Sequence, residues 1–225
     1  MTLRINDVAP NFYAQTTCGD INFHEWMNGK WCVFVSHPKD FTPICTTELG
    51  LMAKVEGEFS KRGVKFIGHS VDCIEDHFNW ITDIEATQGV RPNFPIIGDE
   101  NLKIAKLYEM LPADAAEGDR PASANATVRA VYVIDEKNII RAMTFYPMVA
   151  GRNFTEILRL VDALQLSDAK KIATPVNWKP GDPVLIPPSI SDSDADNIFP
   201  QGWTTSKPGG GKESQQRPYL RYVHV

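Results

Sequence analysis

The strongest constraint on the fold is a buried strand that leads into a helix around a single cysteine. The run Trp31 to Ser36 is almost entirely apolar and predicts a buried strand. After a short polar loop, apolar residues recur at the spacing of one helix face; they are Leu49, Met52, Ala53 and Phe59. This spacing predicts a helix from about Cys45 to Arg62, which Gly63 would end. Cys45 is therefore expected in the first turn of a helix that follows a strand.

This position gives the thiol of Cys45 a particular chemistry. Unpaired backbone N–H groups and the positive end of the helix dipole favour a thiolate over a thiol. Thr42 or Thr46 is placed to cap the helix, and Glu48 would lie in its acidic first turn. A free cysteine is more commonly a buried structural thiol. The helix start and the surrounding threonines and prolines favour a reactive cysteine instead.

The residues around Cys45 also match a known pattern. Pro38, Thr42 and Cys45 fit Pro-x-x-x-Thr-x-x-Cys, which resembles the peroxidatic signature of the peroxiredoxins. The longer run from His37 to Glu48 resembles the single-cysteine, peroxiredoxin-6 class. The resemblance implies that the Cys45 thiolate attacks the peroxide O–O bond and becomes a sulfenic acid.

The resemblance gives roles to three neighbours of Cys45. Thr42 would supply a hydroxyl to the peroxide, and Pro38 would shield the thiolate from bulk water. A histidine that ends a buried strand is often a satisfied core residue. The single-cysteine class, however, carries histidine at the position of His37, close enough to donate a hydrogen bond to sulfur.

Two arginines are candidate cations for the site. Arg129, in Thr127-Val128-Arg129, aligns with the catalytic arginine of the family, although most arginines at strand ends are solvated. Arg152 resembles the family's second pocket arginine. Because a cation at a helix start opposes the dipole, an acidic partner is expected. Glu48 is the natural partner, although a role as an N-terminal helix acid is equally compatible with the sequence.

The remaining pattern predicts an α/β protein. Further strands are predicted at Phe12 to Ala14, Ile21 to Phe23, Val64 to Gly68, Phe94 to Ile97, Ala130 to Ile134 and Ile139 to Tyr146, and further helices near Ile74, Leu102 and Phe154. Asp72 and Glu75 resemble a capping box for the helix that Gly89 ends, and residues 113–126 are predicted as a loop. This order implies a central mixed sheet flanked by helices, and a thioredoxin-like fold fits it.

The C-terminal segment differs from the rest of the chain. Eight prolines lie between residues 175 and 218, which excludes one long helix or a central strand. We predict a peroxidase domain at 1–170 and a small C-terminal domain at 171–225, too thin for a core of its own. Pro175-Val176-Asn177-Trp178 resembles the C-terminal domain of single-cysteine peroxiredoxins. The resemblance implies a homodimer in which this segment covers the neighbouring subunit, with further assembly into a ring as an open alternative.

Composition argues against several classes of partner. The net charge is −5 and no block of Lys or Arg stands out, so nucleic acid is not an expected partner. No apolar run reaches the ~20 residues that span a bilayer. The N-terminus lacks a hydrophobic signal core, so a cytoplasmic protein is expected. The histidines show no ligand spacing, and neither a metal nor a cofactor is predicted.

The cysteines predict how the oxidised site is reduced. Cys18, Cys32, Cys45 and Cys73 form no Cys-x-x-Cys pair, and no cysteine follows Cys73. A C-terminal resolving cysteine is therefore absent. Cys18 or Cys73 could still form an unusual bridge. An external thiol, either a small thiol or a redoxin, is the favoured reductant.

The sequence thus predicts a thiol peroxidase for hydrogen peroxide and organic hydroperoxides. A peroxide sensor or holdase chaperone is the alternative, and sustained turnover with a thiol donor would separate the two. Some single-cysteine peroxiredoxins also hydrolyse phospholipids through a Gly-x-Ser-x-Gly serine. Here Lys30 occupies that serine position, so a phospholipase is a poor candidate.

Overall fold

The computed structural model of the chain describes residues 2–113, 115, 125–205, 217 and 219–225. Most of the predicted loop at 113–126 lies outside these residues. The strands are β1 (Tyr13–Ala14), β2 (Ile21–Asn22), β3 (Trp31–Ser36), β4 (Val64–Ser70), β5 (Ile96–Gly98), β6 (Arg129–Ile134), β7 (Ile140–Tyr146), β8 (Val184–Leu185) and β9 (Tyr222–Val223). The helices are α1 (Phe23–Met27), α2 (Pro43–Ser60), α3 (Ile74–Gln88), α4 (Lys103–Leu107), α5 (Phe154–Lys170) and α6 (Asp192–Ile198). No helix among the described residues is long and apolar enough to cross a membrane.

The chain forms two compact units, Met1–Phe154 and Thr155–Val225. The first unit is built on a five-stranded sheet in the order β5-β4-β3-β6-β7. β3 pairs in parallel with β4 and antiparallel with β6, so the sheet is mixed. Every residue of β3 and β6 is buried, which explains why the two sequences do not alternate and are apolar except for Ser36 at the end of β3 and Arg129 at the start of β6. The predicted fold class, a mixed sheet flanked by helices, is confirmed.

Sheet topology brings the candidate site residues together. Val35 of β3 faces Val131 of β6 in antiparallel register, so β6 begins beside the point where β3 ends. Arg129 is the first residue of β6 and therefore lies at the same end of the sheet as the loop that precedes α2. The side chain of Ser36 joins the two strands, accepting from the Ala130 N–H at 3.0 Å and donating to the Val128 carbonyl at 2.6 Å.

Three local predictions differ from the structure. Phe23 was predicted to end a strand, but it opens the short helix α1, because Asn22 caps it by accepting from the Glu25 N–H. The helix α2 starts at Pro43, and its first turn contains no acidic residue, so Glu48 lies one turn further in than predicted. The capping box before α3 is absent. Cys73 is the N-cap residue and makes no side-chain capping bond.

The second unit has a small core of its own. Its buried apolar residues are Ala163, Ile172, Trp178, Val184, Ile186, Ala195, Phe199 and Val223. Ala163 lies in α5, so the short elements α6, β8 and β9 build this core by bringing scattered apolar residues against that helix. The expectation that residues 171–225 are too thin for an independent core stays a prediction. Arg221 adds to this packing through hydrogen bonds to Asp192 at 2.7 Å and to the Ile190 carbonyl at 2.6 Å. The domain boundary at 170/171 stays a prediction.

Candidate active site

Cys45 lies in the first turn of α2, and its side chain is completely buried. Thr42 is the N-cap residue in an extended conformation, and Pro43 opens the helix, where the missing N–H of proline costs nothing. The Thr42 hydroxyl makes no capping bond. It donates instead to the Lys39 carbonyl at 2.8 Å, which leaves its oxygen free to accept a hydrogen bond.

Arg129 is the cation at the sulfur. Its Nη1 donates to the Sγ of Cys45 at 3.3 Å and to Oε2 of Glu48 at 2.8 Å. Its Nε and Nη2 donate to the Met148 carbonyl at 3.0 and 2.7 Å. The guanidinium is thus held in one orientation by three partners, and it is buried. A charge-assisted contact of this kind stabilises a thiolate more than a thiol.

Glu48 joins both arginines. Its Oε1 accepts from the backbone N–H and the Nε of Arg152 at 2.7 and 3.0 Å, and its Oε2 accepts from Nη2 of Arg152 at 2.7 Å. The Nη1 of Arg152 donates to the carbonyls of Ser36 and Ala130, so Arg152 also connects the ends of β3 and β6. The predicted partnership of Glu48 with both arginines is present in the structure.

The cluster of Glu48 with the two arginines carries a net positive charge next to the sulfur. Burial alone would raise the pKa of Glu48, but Arg152 and then Arg129 outweigh burial and hold the pKa below its ordinary value. Glu48 is therefore a carboxylate. Two guanidiniums and one carboxylate leave one positive charge in excess beside the Cys45 sulfur.

His37 does not contact the sulfur as expected. Its Nε2 bonds to Oδ1 of Asp40 at 2.6 Å, and its Nδ1 is buried with no hydrogen-bond partner. The predicted donation from His37 to Cys45 is therefore absent, because the Asp40 carboxylate three residues on takes the ring nitrogen. Pro38 is buried in the same loop.

Sequence reasoning missed Asp40 and the partnership of His77 with it. Asp40 lies within the matched run, and a buried carboxylate requires donors. That was the available signal. One buried group is formed by His37, Asp40 and His77, whose facing ring nitrogens and carboxylate oxygen lie within 4.8 Å of one another. Spacing in the sequence did not reveal this group.

The other three cysteines are free and lie outside this cluster of contacts. Burial raises the pKa of Cys32, which makes it a core thiol. The Asp76 backbone favours the Cys73 thiolate, but burial and the carboxylates of Asp76 and Glu75 outweigh it and raise the pKa. The exposed Cys18 lies 3.7 Å from the Asn93 carbonyl.

Two family models match the chain. The AhpC/TSA family matches residues 5–143, and the C-terminal domain of 1-Cys peroxiredoxin matches residues 163–202. Among curated proteins, the chain is 46% identical over 222 residues to the mitochondrial peroxiredoxin PRX1 of Saccharomyces cerevisiae, covering 98% of this chain and 80% of that one. It is 45% identical over 226 residues to peroxiredoxin-6 of Homo sapiens, covering 98% and 97%.

Solved structures give the same likeness. A cysteine-to-serine mutant of the peroxiredoxin 6 of Arenicola marina superposes with a TM-score of 0.87 at 38% identity, covering 99% of this chain and 98% of that one. A yeast mitochondrial 1-Cys peroxiredoxin, studied for thiol resolution via glutathione/thioredoxin systems, has a TM-score of 0.84 at 44% identity, covering 100% of both chains.

Proposed function

Because the chain belongs to the 1-Cys peroxiredoxins of the AhpC/TSA family, which are thiol-dependent peroxidases, we propose that Cys45 is the peroxidatic nucleophile. The observation that carries this proposal is the 3.3 Å contact between the Arg129 guanidinium and the Cys45 sulfur. The thiolate attacks the distal peroxide oxygen, so the S–O bond forms as the O–O bond breaks. The leaving oxygen takes a proton and departs as water or an alcohol, and Cys45 becomes a sulfenic acid.

Arg129, Thr42 and Pro38 act directly around the reacting atoms. Arg129 favours the thiolate and stabilises the charge that develops on the departing oxygen. The Thr42 oxygen, free to accept, orients the peroxide O–H. Pro38 keeps bulk water from the sulfur, and its burial supports that role.

Glu48 and Arg152 act through Arg129. The Glu48 carboxylate fixes the Arg129 guanidinium, and Arg152 fixes Glu48 through both of its oxygens. His37 acts on the loop through Asp40 rather than on sulfur. This arrangement preorganises the donors before the peroxide arrives, which is the way electrostatic catalysis is obtained at low reorganisation cost.

The sulfenic acid is reduced by an external thiol. A first thiol attacks the Cys45 sulfur, releases water and leaves a mixed disulfide, and a second thiol restores the Cys45 thiolate as the external disulfide departs. The raised pKa values of Cys32 and Cys73 make them poor attacking thiols at neutral pH and support this route. A small thiol or a redoxin serves as this reductant. The yeast mitochondrial 1-Cys peroxiredoxin of similar structure resolves its thiol via glutathione/thioredoxin systems.

The protein acts on hydrogen peroxide and small organic hydroperoxides as a cytosolic homodimer. Its four free cysteines suit a reducing compartment. Support for the dimer comes from β7, which ends the sheet and leaves an edge that a second copy could cover.

The test compares four single variants. We expect Cys45→Ser to abolish peroxide consumption with a thiol donor, whereas Cys18→Ser, Cys32→Ser and Cys73→Ser retain it. Mass spectrometry after peroxide exposure should place the sulfenic acid on Cys45. Peroxidase activity that survives Cys45→Ser would overturn the proposal, and loss of turnover in a second variant would reveal a resolving cysteine.

A further inference from the structure

Asp40 lies at the centre of the loop 37–42, which leads from β3 into α2, and it is buried there. Its Oδ1 accepts from Nε2 of His37 at 2.6 Å, and its Oδ2 accepts from Nδ1 of His77 at 2.5 Å. The backbone N–H of Asp40 donates to Asp72 at 2.9 Å. Asp40 therefore ties the loop to α3, which carries His77, and to the turn after β4, which carries Asp72.

The contacts of His77 fix its protonation state. Its Nε2 lies 3.0 Å from the Ile97 carbonyl, which only accepts, so Nε2 carries a hydrogen. Its Nδ1 faces a carboxylate oxygen of Asp40, which also only accepts. Both nitrogens therefore donate, and His77 is an imidazolium. Burial opposes this charge, but Asp40 outweighs burial and raises the pKa of His77.

His37 takes the neutral form in the same network. Its Nε2 donates to Asp40, while its buried Nδ1 has no partner and needs no hydrogen. Burial lowers the pKa of His37, and Asp40 does not overcome it. Burial would raise the pKa of Asp40, but the hydrogen bonds from His37 and His77 lower it to about 2. The network is thus one ion pair, between Asp40 and His77, with a neutral histidine beside it.

The helix α3, which carries His77, also contacts the first turn of α2. Trp80, one turn after His77, packs its ring against that of His37, with the two centroids 4.9 Å apart and the planes tilted by 38°. Its Nε1 donates to the hydroxyl of Thr46 at 3.1 Å, and Thr46 follows Cys45 directly. Between these two attachments Phe41 has a left-handed φ of 55°, a conformation that costs a non-glycine residue free energy and must be imposed by its surroundings.

We propose that the buried Asp40–His77 ion pair is a positioning device that fixes the loop 37–42 against α3 and thereby sets the geometry in which Cys45 meets peroxide. The proposal rests on the proposed role of Cys45. Asp40 and His77 touch neither sulfur nor peroxide; they act through Pro38 and Thr42, which lie on the same loop. When His77 loses its proton, a nitrogen lone pair faces the carboxylate, and the ion pair is lost.

A metal site is the competing use of these residues. The nitrogen–oxygen separations of 2.5 and 2.6 Å are direct hydrogen bonds and are shorter than the distance between two atoms that ligate one metal ion at about 2.1 Å each. The second nitrogen of His77 is already bonded to the Ile97 carbonyl.

Among the described residues, the titratable groups that face His77 lie on the loop 37–42 and on the turn after β4. The loop contributes His37 and Asp40, the turn after β4 contributes Asp72, and β5 contributes only the Ile97 carbonyl.

The raised pKa of His77 sets the direction in which the peroxide reaction should change with pH. The pKa of His77 is raised above its ordinary 6.5, so the ion pair is complete below that value and is lost as the pH rises through the raised pKa. We expect the rate of peroxide attack per Cys45 thiolate to fall on the alkaline side. The Asp40 carboxylate is lost only near pH 2.

The experiment measures two reactions of Cys45 in the fully reduced full-length chain. Stopped flow gives the rate with hydrogen peroxide, and mass spectrometry of the Cys45 peptide gives the rate with iodoacetamide, which reports the thiolate without demanding the peroxide geometry. We expect His77→Gln to slow the peroxide reaction by about ten- to a hundred-fold while alkylation changes little. His24→Gln, in α1, is the matched control and should change neither rate.

Asp40→Asn keeps the proposal testable if His77→Gln fails to fold. Its amide can donate to a neutral His77 and accept from His37, so the contacts survive without an ion pair. We expect a smaller loss at pH 7 and no alkaline decline. In the unmodified protein, ¹⁵N spectra should show two protonated nitrogens on His77 at pH 7.

The inference would be overturned by an unchanged peroxide rate in folded His77→Gln, by an equal fall in both rates, or by a neutral His77. Metal bound stoichiometrically in place of the ion pair would also overturn it. Peroxidase activity surviving Cys45→Ser would instead remove the proposed function, so the two failures are distinguishable.

Discussion

The carboxylate of Glu48 accepts hydrogen bonds from both buried arginines, four in all counting the backbone of Arg152. Glu48→Gln would leave two guanidiniums buried with no carboxylate. We expect a loss of about 3–5 kcal/mol in the free energy of unfolding and a slower reaction with peroxide, because Arg129 loses its orientation. Chemical denaturation and stopped flow measure the two effects.

Glu58→Gln is the matched control on the same helix. Glu58 pairs with Lys61 and Arg62 on the exposed surface, where such pairs contribute little. Its removal should leave both measurements near those of the unmodified protein. Equal effects of the two substitutions would contradict the role given to Glu48. Because the pKa of Glu48 is lowered, its contribution is fully present above its ordinary 4.5 and is lost as the pH falls from there through the lowered pKa.

Single residues differed in how visible they were in the sequence. Cys45, Arg129 and Glu48 stood in patterns that resembled a family, and the structure brings them together. Asp40 and His77 were not predicted as partners, because their contact depends on how α3 packs against the loop 37–42. Spacing along one helix shows which residues share a face, but not what that face meets.

The hydrogen bond from Trp80 of α3 to Thr46 of α2 should limit local opening of the first turns of α2. Trp80→Phe keeps a six-membered aromatic ring but removes the indole N–H that donates to Thr46, and it leaves a cavity because Trp80 is fully buried. A neutral hydrogen bond contributes about 1 kcal/mol, so amide exchange in residues 42–50 should speed up by at least about five-fold. Hydrogen–deuterium exchange with mass spectrometry measures this.

Two comparisons make that result specific. The last turn of α2, residues 55–60, should exchange at an unchanged rate in the same sample. Trp26→Phe makes the same chemical change beside Lys65, away from Cys45, and should leave residues 42–50 unaffected. Faster exchange throughout α2 would indicate general loosening of the helix rather than loss of one contact.

The bounds of the longer elements followed closely from periodicity, and the short ones did not. The strands β3 and β4 and the helices α2 and α3 appear within a few residues of their predicted limits. The helices α1 and α6 have five and seven residues, too few for a helical repeat to show. Asp72 looked like a cap in sequence, but its carboxylate accepts from Asp40 and Ser70 instead.

The proposed homodimer can be tested by measuring the mass of the protein in solution. No other strand of the described chain pairs with the outer edge of β7 between residues 141 and 146, and such an edge can add a strand from a second copy. We expect sedimentation at micromolar concentration to give twice the chain mass of 25.1 kDa.

A control with a reducing agent distinguishes this non-covalent dimer from a disulfide-linked one. The mass should stay the same with a strong reducing agent and in the Cys45→Ser variant. A single species of one chain mass would contradict the proposed homodimer. Conversion to one chain mass only on reduction would assign the association to disulfides.

The sulfur of Cys45 has no exposed surface, although its reactants come from solution. A buried site of this kind selects its reactants by size. Hydrogen peroxide is little larger than water and demands the least rearrangement of the surroundings, whereas a hydroperoxide with a long tail demands more. A protein thiol demands the most. We therefore expect the two half-reactions proposed for Cys45 to be unequal, with faster capture of the smallest oxidant and slower access for the largest reductant.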